Sequence, residues 1–367
     1  MTRAGNPPVT LQFFDDGDRL TTGARSGVTS ALIHAASEGF PAGVNLAVVS
    51  SSGTLLRAWS GHATVVGQPE VTREDTLYDL ASLTKVIVTT TLALWLEDQG
   101  RWRLSQGAHR WLPDLTRRDI TLHQLITHTS GIIAHRPFFH LGRRRVAIRH
   151  AVMEEAERAT RPGRVLYSDL NFMLLGWAVE QCAGESLDWL FARVVTEPLG
   201  LVDTRFRPGA RQRARSAATE LDGDQRLGPG LVRGEVHDGN AWALGGVAGH
   251  AGLFSTATDL ALFARELLQP RQHRILSRAA QSRMSRYQAG RTPDVRGLGW
   301  RLEPRGWGRW PEGTFWHTGF TGTSLLISPP ADLAVVLLTN AVHPTRDLER
   351  QASFRAQLHR ALAKVNS

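Results

Sequence analysis

Lysine is nearly missing from this chain. Of 43 basic residues only Lys85 and Lys364 are lysine, and all the others are arginine. Arginine supplies a fixed positive charge, but its pKa above ~12 prevents it from accepting a proton, which a desolvated lysine can do. A lysine kept in so arginine-rich a chain marks a position where charge alone is not enough, and Lys85 is the candidate. Lys364 sits in a C-terminal helical stretch with no evident task. Cysteine is almost as scarce: Cys182 is the only one, which excludes intramolecular disulfides and cysteine-built metal clusters. It lies in NFMLLGWAVEQCAG, a buried amphipathic helix in which the thiol serves as a small hydrophobe. No run of about 18 apolar residues occurs, and the N-terminal stretch MTRAGNPPVTLQFFDDGDRLTTGARSG has no continuous apolar leader. The expectation is a soluble, cytoplasmic protein with no membrane partner.

Several chemistries are also short of their signatures. Histidine is abundant, yet there is no HExxH, and His123 and His128, five apart, would point from diverging faces of a helix. No metal and no cofactor is expected. The G-x-S-x-G elbow of a Ser-His-Asp hydrolase does not occur, and Cys182 lacks the surroundings of a papain-like nucleophile. The formal net charge is +9, but the arginines are spread along the chain. The densest cluster, Arg143 to Arg145, carries no nucleic-acid motif, so it reads as a solvated face and no nucleic-acid partner is expected.

What is present is ASLTKV, an S-x-x-K from Ser82 to Lys85. In the first turn of a helix, residues three apart face the same way, so a hydroxyl and an amine meet side by side. The partial positive charge of the helix N-terminus favours an alkoxide on Ser82. Ser82 as a plain helix cap remains the bland alternative. With 21 serines in 367 residues, a serine three before Lys85 is a weak signal by itself.

The rest of the chain supplies a frame. Ser26 is placed to cap a helix running through SALIHAASE to Gly39. The runs VNLAVVS and TLLRAWS, split by Ser51 to Gly53, read as a hairpin, and SLTKVIVTTTLALWLEDQG reads as one buried helix from Ser82 to Gly100. The stretch from Trp111 to Gln288 is mostly helical, with Gly-, Pro- and Arg-rich loops between Phe206 and Gly234. TFWHTG, GTSLLIS and DLAVVLLTN then return to strand periodicity. A last helix carries Phe354, Leu358, Ala361, Leu362 and Val365 on one stripe. This is an α+β pattern: an antiparallel sheet flanked by helices, built from residues 1–110 and 289–367, plus a helical domain over 111–288, with the site in the cleft between them. The cleft walls are expected from the loops Phe138 to Arg145 and Phe206 to Gly234.

Two further segments give the S-x-x-K its weight. PGRVLYSDLNFMLLG sets Tyr167 and Asp169 just before a helix, and FWHTGFTGTSLLI places His317, Thr318 and Gly319 on a strand. In order and spacing these elements resemble the S-x-x-K, Y-x-N and K-T-G or H-x-G motifs of the serine beta-lactamase and penicillin-binding protein superfamily, in its class C branch. ITLHQLITHTSGI, PLGLVDT, GEVHDGNAWALGGVAGHAGLFSTATDLALFAREL and LLTNAVHP extend the similarity from about Gly43 to Pro344. The resemblance implies a beta-lactamase/transpeptidase-like fold and a hydrolase in which Ser82 attacks a carbonyl and becomes acylated. Lys85 and Tyr167 share the proton traffic, and which is the formal base stays open. The N–H groups of Ser82 and Phe320 hold the oxyanion, where one lost donor costs ~3–4 kcal/mol. Two departures bear on the substrate. His317 stands where K-T-G has lysine, and an imidazole, mostly neutral at pH 7, is a poor carboxylate anchor. Asp169 stands where Y-x-N has asparagine, and its pairing with Lys85 would raise the lysine pKa and shift weight to Tyr167. Both push away from efficient beta-lactamase action and favour an esterase or an aminopeptidase-like acyl hydrolase acting on a small ester, amide or short peptide, an ester first, with a beta-lactamase or D-Ala-D-Ala carboxypeptidase/D-aminopeptidase as the alternative. A non-catalytic penicillin-binding or regulatory protein of the same fold is the alternative of another class. His128 and His250 sit in Gly- and Ser-containing turns, where a ring nitrogen serving a backbone group is the expected role, and His237 and Asp238, in a segment typical of the family, receive no chemistry either.

Overall fold

The strand Leu333–Thr339 shows how the layers arise. Its alternate residues Leu333, Val335 and Leu337 join one apolar cluster with Val28, Leu32, Phe354 and Leu358. Ala334, Val336 and Leu338 join a second cluster with Leu83, Val86, Leu260 and Phe263. A strand covered on both faces reads as an unbroken apolar run because each side of its two-residue period needs a hydrophobic partner. The computed structural model describes residues 8–14, 19–160, 162–221, 230–268 and 274–363.

The main sheet is antiparallel, in the order Thr10–Phe13, Thr54–Thr64, Gly43–Val49, Leu333–Thr339, Ser324–Ser328, Phe315–Thr318, Arg301–Leu302, Asp294–Arg296, Ala289–Arg291. N-terminal and C-terminal segments therefore meet in its middle, where Ala334 to Thr339 pair with Val49 to Val44. On the outer face the helices Thr22–Glu38 and Leu348–Leu362 lie against each other, so closely that a Cβ on Gly27 would come within 2.8 Å of Ala361 Cβ. The first of these begins one turn earlier than expected. Thr21 accepts from the Ala24 N–H as its cap, and Ser26 lies inside the helix, while Gly39 closes it in the left-handed region. In the last helix Phe354, Leu358 and Leu362 are buried and Ala361 partly so. Val365 and Lys364 lie outside the described residues.

On the inner face the helix Ala257–Leu268 packs against Leu333–Thr339 and Gly43–Val49, although it falls within the stretch 111–288. The segment after Ser82 is not one regular helix. A π-helical stretch, Lys85–Thr90, precedes the α-helix Thr91–Asp98, and such local widening often accompanies functional residues. Between Phe206 and Gly234 the described residues include a short helix, Ala210–Ala214, and paired strands, Ala218–Leu221 and Leu231–Arg233. Among the described residues no helix is long and apolar enough to cross a membrane.

Candidate active site

Ser82 sits where the short strand Tyr78–Asp79 turns sharply into the helical segment. The turn is strained: Ala81 has φ 47°, a left-handed conformation that costs a non-glycine residue energy. It is held by the buried Asp79, whose Oδ1 accepts from the Ala81 N–H at 2.8 Å and whose Oδ2 accepts from the His237 N–H at 2.6 Å. Thr321 Oγ1 donates to the Asp79 carbonyl at 2.7 Å, so the turn is also tied to the segment that follows His317.

Lys85 is fully buried beneath Ser82. Its ammonium lies 2.8 Å from Ser82 Oγ, 2.8 Å from Asp169 Oδ1 and 3.0 Å from the His250 carbonyl oxygen. An ammonium has three protons to donate, and here three acceptors face it. Burial opposes the charge, but Asp169 and Tyr167 outweigh it and hold the Lys85 pKa above its ordinary value. Partial burial would raise the Asp169 pKa, but the facing Lys85 ammonium and a bond to His135 hold it well below the usual carboxylate range. The pairing anticipated from the Y-x-D departure is thus present.

Tyr167 and Asp169 are brought there by the helix Asp169–Ala183, which Ser168 caps by accepting from the Asn171 N–H. Ser168 also donates its N–H to His128 Nδ1 at 3.1 Å and its hydroxyl to the Ile133 carbonyl at 2.6 Å. His128 packs against the Tyr167 ring, centroids 4.6 Å apart, and burial with nearby Arg296 and Lys85 keeps it neutral at pH 7. It does what was expected of it, serving a backbone group. His250 does not: its Nε2 lies 2.9 Å from the Asp238 carboxylate, and its carbonyl, not its ring, serves Lys85.

His317 ends the strand Phe315–Thr318 with Thr318, while Gly319 and Phe320 lie in the turn just past it, not on the strand. His317 Nδ1 is 2.9 Å from the Thr318 carbonyl, which can only accept, so the proton sits on Nδ1 and Nε2 carries the lone pair. Burial, with Arg296 and Lys85 close by, pushes its pKa well below 6.5 and leaves the ring neutral at pH 7. Among the described residues neither the Ser82 N–H nor the Phe320 N–H has an acceptor. The Gly319 and Phe320 carbonyls are held from the other side by Arg355 Nη2 at 3.3 Å and Gln351 Nε2 at 3.1 Å.

The cleft over Ser82 encloses about 480 Å³ and is walled by Tyr167, the strands around Asp294, Arg296 and Arg301, the His317 to Phe320 turn, and Leu348, Gln351 and Arg355. The described residues of the Phe138 to Arg145 and Phe206 to Gly234 loops are not among its walls. Arg296 is the residue that sequence reasoning missed. It is 2 % exposed, its guanidinium carbon stands 5.4 Å from the Tyr167 ring centre, and Nη1 has no hydrogen-bond partner. Asp294 Oδ1 is 2.8 Å from its Nε, but the N–H is not aimed at that oxygen, so the charges are close without a hydrogen bond. Among so many arginines nothing in the sequence singles it out.

With this geometry in view, the chain matches the beta-lactamase family model over residues 31–360. It is 28% identical over 358 residues to a putative D-alanyl-D-alanine carboxypeptidase of Escherichia coli (strain K12), covering 86% of this chain and 82% of the relative. It is 30% identical over 346 residues to the N-acetylmuramyl-L-alanine amidase of Bacillus subtilis (strain 168), covering 83% and 78%. Its fold is similar to that of EstCE1, a hydrolase with promiscuous acyltransferase activity, with TM-score 0.75 at 22% identity, covering 93% of this chain and 98% of that one. It is similar also to the octameric penicillin-binding protein homologue from Pyrococcus abyssi, with TM-score 0.74 at 18% identity, covering 93% and 78%. The α+β, beta-lactamase/transpeptidase-like fold and the matched family agree, and the chain belongs to the beta-lactamase family of serine hydrolases.

Proposed function

We propose that the protein cleaves a small ester or amide through an acyl intermediate on Ser82, with Tyr167 as proton carrier and Lys85 as a fixed ammonium. The observation that carries this reading is the set of three acceptors around Lys85 Nζ, one of them Ser82 Oγ. A lysine that holds its proton at neutral pH cannot take another. As Oγ bonds to the carbonyl carbon, the Ser82 proton passes to the Tyr167 oxygen for delivery to the leaving group. The N–H groups of Ser82 and Phe320 stabilise the oxyanion. Collapse expels the alcohol or amine, which regains the proton from Tyr167, and a water then repeats both steps and frees the acid. A panel of nitrophenyl esters with Ser82→Ala and Lys85→Ala tests this. Both variants are expected to lose turnover by at least about 1,000-fold, from the loss of the nucleophile and of the charge beside it. Unchanged turnover in Ser82→Ala overturns the reading, and a permanent adduct in intact mass spectra without product release favours the non-catalytic alternative.

One observation supports a second reading, in which the substrate carries a carboxylate. The cleft is not short of cations: Arg296 and Arg301 line it beside His317, and Arg355 closes its far wall. A partly unpaired, buried guanidinium suits an anionic group that a neutral His317 anchors poorly. Arg296→Gln is expected to raise KM about 10-fold for a D-alanyl peptide with a free carboxylate, the scale of one hydrogen bond to a charged group. KM for a neutral ester should change less than about twofold. Equal effects on both substrates count against the anionic reading. Nitrocefin hydrolysis run beside the ester panel separates a beta-lactamase from an esterase.

A further inference from the structure

The segment GEVHDGNAW has no task in the reaction above, yet His237 is buried directly behind the oxyanion turn. Its imidazole stacks on the Phe320 ring, centroids 5.6 Å apart and planes at 19°. The guanidinium of Arg346 stands 5.4 Å from the same ring centre. Both partners of that ring converge on one carboxylate: Glu220, 3 % exposed, lies 2.9 Å from His237 Nε2 and is bonded by Arg346 through Nε and, at 2.9 Å, through Nη2. The backbone N–H of His237 meanwhile holds Asp79 Oδ2, and Asp79 Oδ1 fixes the strained Ala81 turn that presents Ser82. One residue therefore touches both arms of the oxyanion site, the Ser82 arm through its backbone and the Phe320 arm through its ring. Aromatic stacking has a preferred geometry and resists sliding, so a ring fixed by Glu220 fixes Phe320 as well.

We propose that His237, anchored by Glu220 and Arg346, is a positioning residue that sets the spacing between the Ser82 and Phe320 N–H donors. The proposal rests on the acyl-Ser82 reading. Its role is through Phe320 and Asp79, not through contact with substrate. A displaced donor weakens binding of the tetrahedral state while leaving the ground-state ester unaffected.

The test measures kcat and KM for a nitrophenyl ester, and the affinity of a boronic acid whose tetrahedral oxygen mimics the oxyanion, in His237→Ala, His237→Phe, Glu220→Gln and Phe320→Leu, with Ser82→Ala as control. A fluorophosphonate titration normalises the rates of every variant that keeps Ser82 to correctly folded sites, and circular dichroism checks the fold of Ser82→Ala. His237→Ala and Phe320→Leu are expected to lose about 10- to 100-fold in kcat, the scale of a misplaced catalytic group, with KM within about twofold. Boronate affinity should fall in parallel. His237→Phe, which keeps the stack, should recover part of kcat, and Glu220→Gln should fall between. If Ser82→Ala is inactive but His237→Ala and Phe320→Leu keep wild-type kcat and boronate affinity per titrated site, the positioning role is wrong and the acyl-Ser82 reading survives. If Ser82→Ala is as active as the wild type, the underlying reading fails first. Should His237→Ala not fold, the partly exposed Phe320 still decides the matter through Phe320→Leu against Phe320→Tyr.

Discussion

On the proposed reading, Lys85 is kept for a reason different from the one its rarity suggests. A share in the proton traffic was expected; with Ser82 Oγ, Asp169 Oδ1 and the His250 carbonyl around its head, the proposed reading gives Lys85 the part of a fixed charge instead. What lysine offers here over arginine is a compact, tetrahedral head that fits where a planar fork would not. Lys85→Arg, although it keeps the charge, is expected to destabilise by about 1–3 kcal/mol through overpacking and to abolish ester turnover, measured by urea denaturation and by rate. The Asp169 partner gives a pH-dependent prediction. Its folded pKa is depressed, so its contribution is present above the unfolded value of about 3.9 and is lost as pH falls below it. Lys85 is raised, so its contribution is present below about 10.4 and is lost as pH rises further. Asp169→Asn, which leaves a buried ammonium without its counterion, should cost about 3 kcal/mol at pH 7. Denaturation at pH 7 and again below about pH 4 should show that cost shrinking in acid, because the wild type loses the same contribution there. A pH-independent difference would refute the pairing.

The helix Asp169–Ala183 and the turn Gly249–His250 are the elements that set Lys85's surroundings, and each has a sensitive point. Ser168→Ala removes both the helix cap and the bond to Ile133, and should cost about 1–2 kcal/mol with a lowered kcat as Tyr167 drifts. A Cβ on Gly249 would lie 2.1 Å from the Phe172 carbonyl oxygen and 2.9 Å from Gly176 Cα. Gly249→Ala must therefore push the turn off the helix and carry the His250 carbonyl away from Lys85. Thermal unfolding several degrees lower, with turnover reduced beyond the loss of folded protein, is the expected result. These elements also show what was legible beforehand. Strand periods and the S-x-x-K, Tyr167 and His317 segments lie in local sequence and are legible there, and the fold brings Ser82, Tyr167 and His317 to one cleft. The π-helical stretch after Lys85 depends on packing against distant parts: Thr89 Oγ1 donates to the Gly249 carbonyl, and a Cβ on Gly299 would strike Thr90 Oγ1 at 2.1 Å. Arg296, Glu220 and Arg346 reach the site only through strand register and long loops, which no local pattern encodes. Thr21 replaced Ser26 as a cap because either fits the first-turn rule and only the packing of Leu20 and Ala24 chooses.

Across the whole molecule the site is assembled from segments far apart in sequence: Ser82 and Lys85, then Tyr167 and Asp169, His250, Arg296, His317 to Phe320, and finally Gln351 and Arg355. The outer helix Leu348–Leu362 therefore links stability to catalysis, burying Phe354 and Leu358 on one side and holding the Gly319 and Phe320 carbonyls on the other. Leu358→Ala is expected to cost about 2–5 kcal/mol as a core cavity. Gln351→Ala should leave the melting temperature within a few degrees and lower kcat about 10-fold, seen by calorimetry and ester hydrolysis. Equal kcat in Gln351→Ala and wild type would show that the turn needs no such support. The order of these segments has a consequence during synthesis. Ser82 and Lys85 are made early, but the helix that holds the Gly319 and Phe320 carbonyls is made after every other part of the site. The whole cleft can therefore assemble only once residue 355 has been added, after the strands of the sheet around it have all been made.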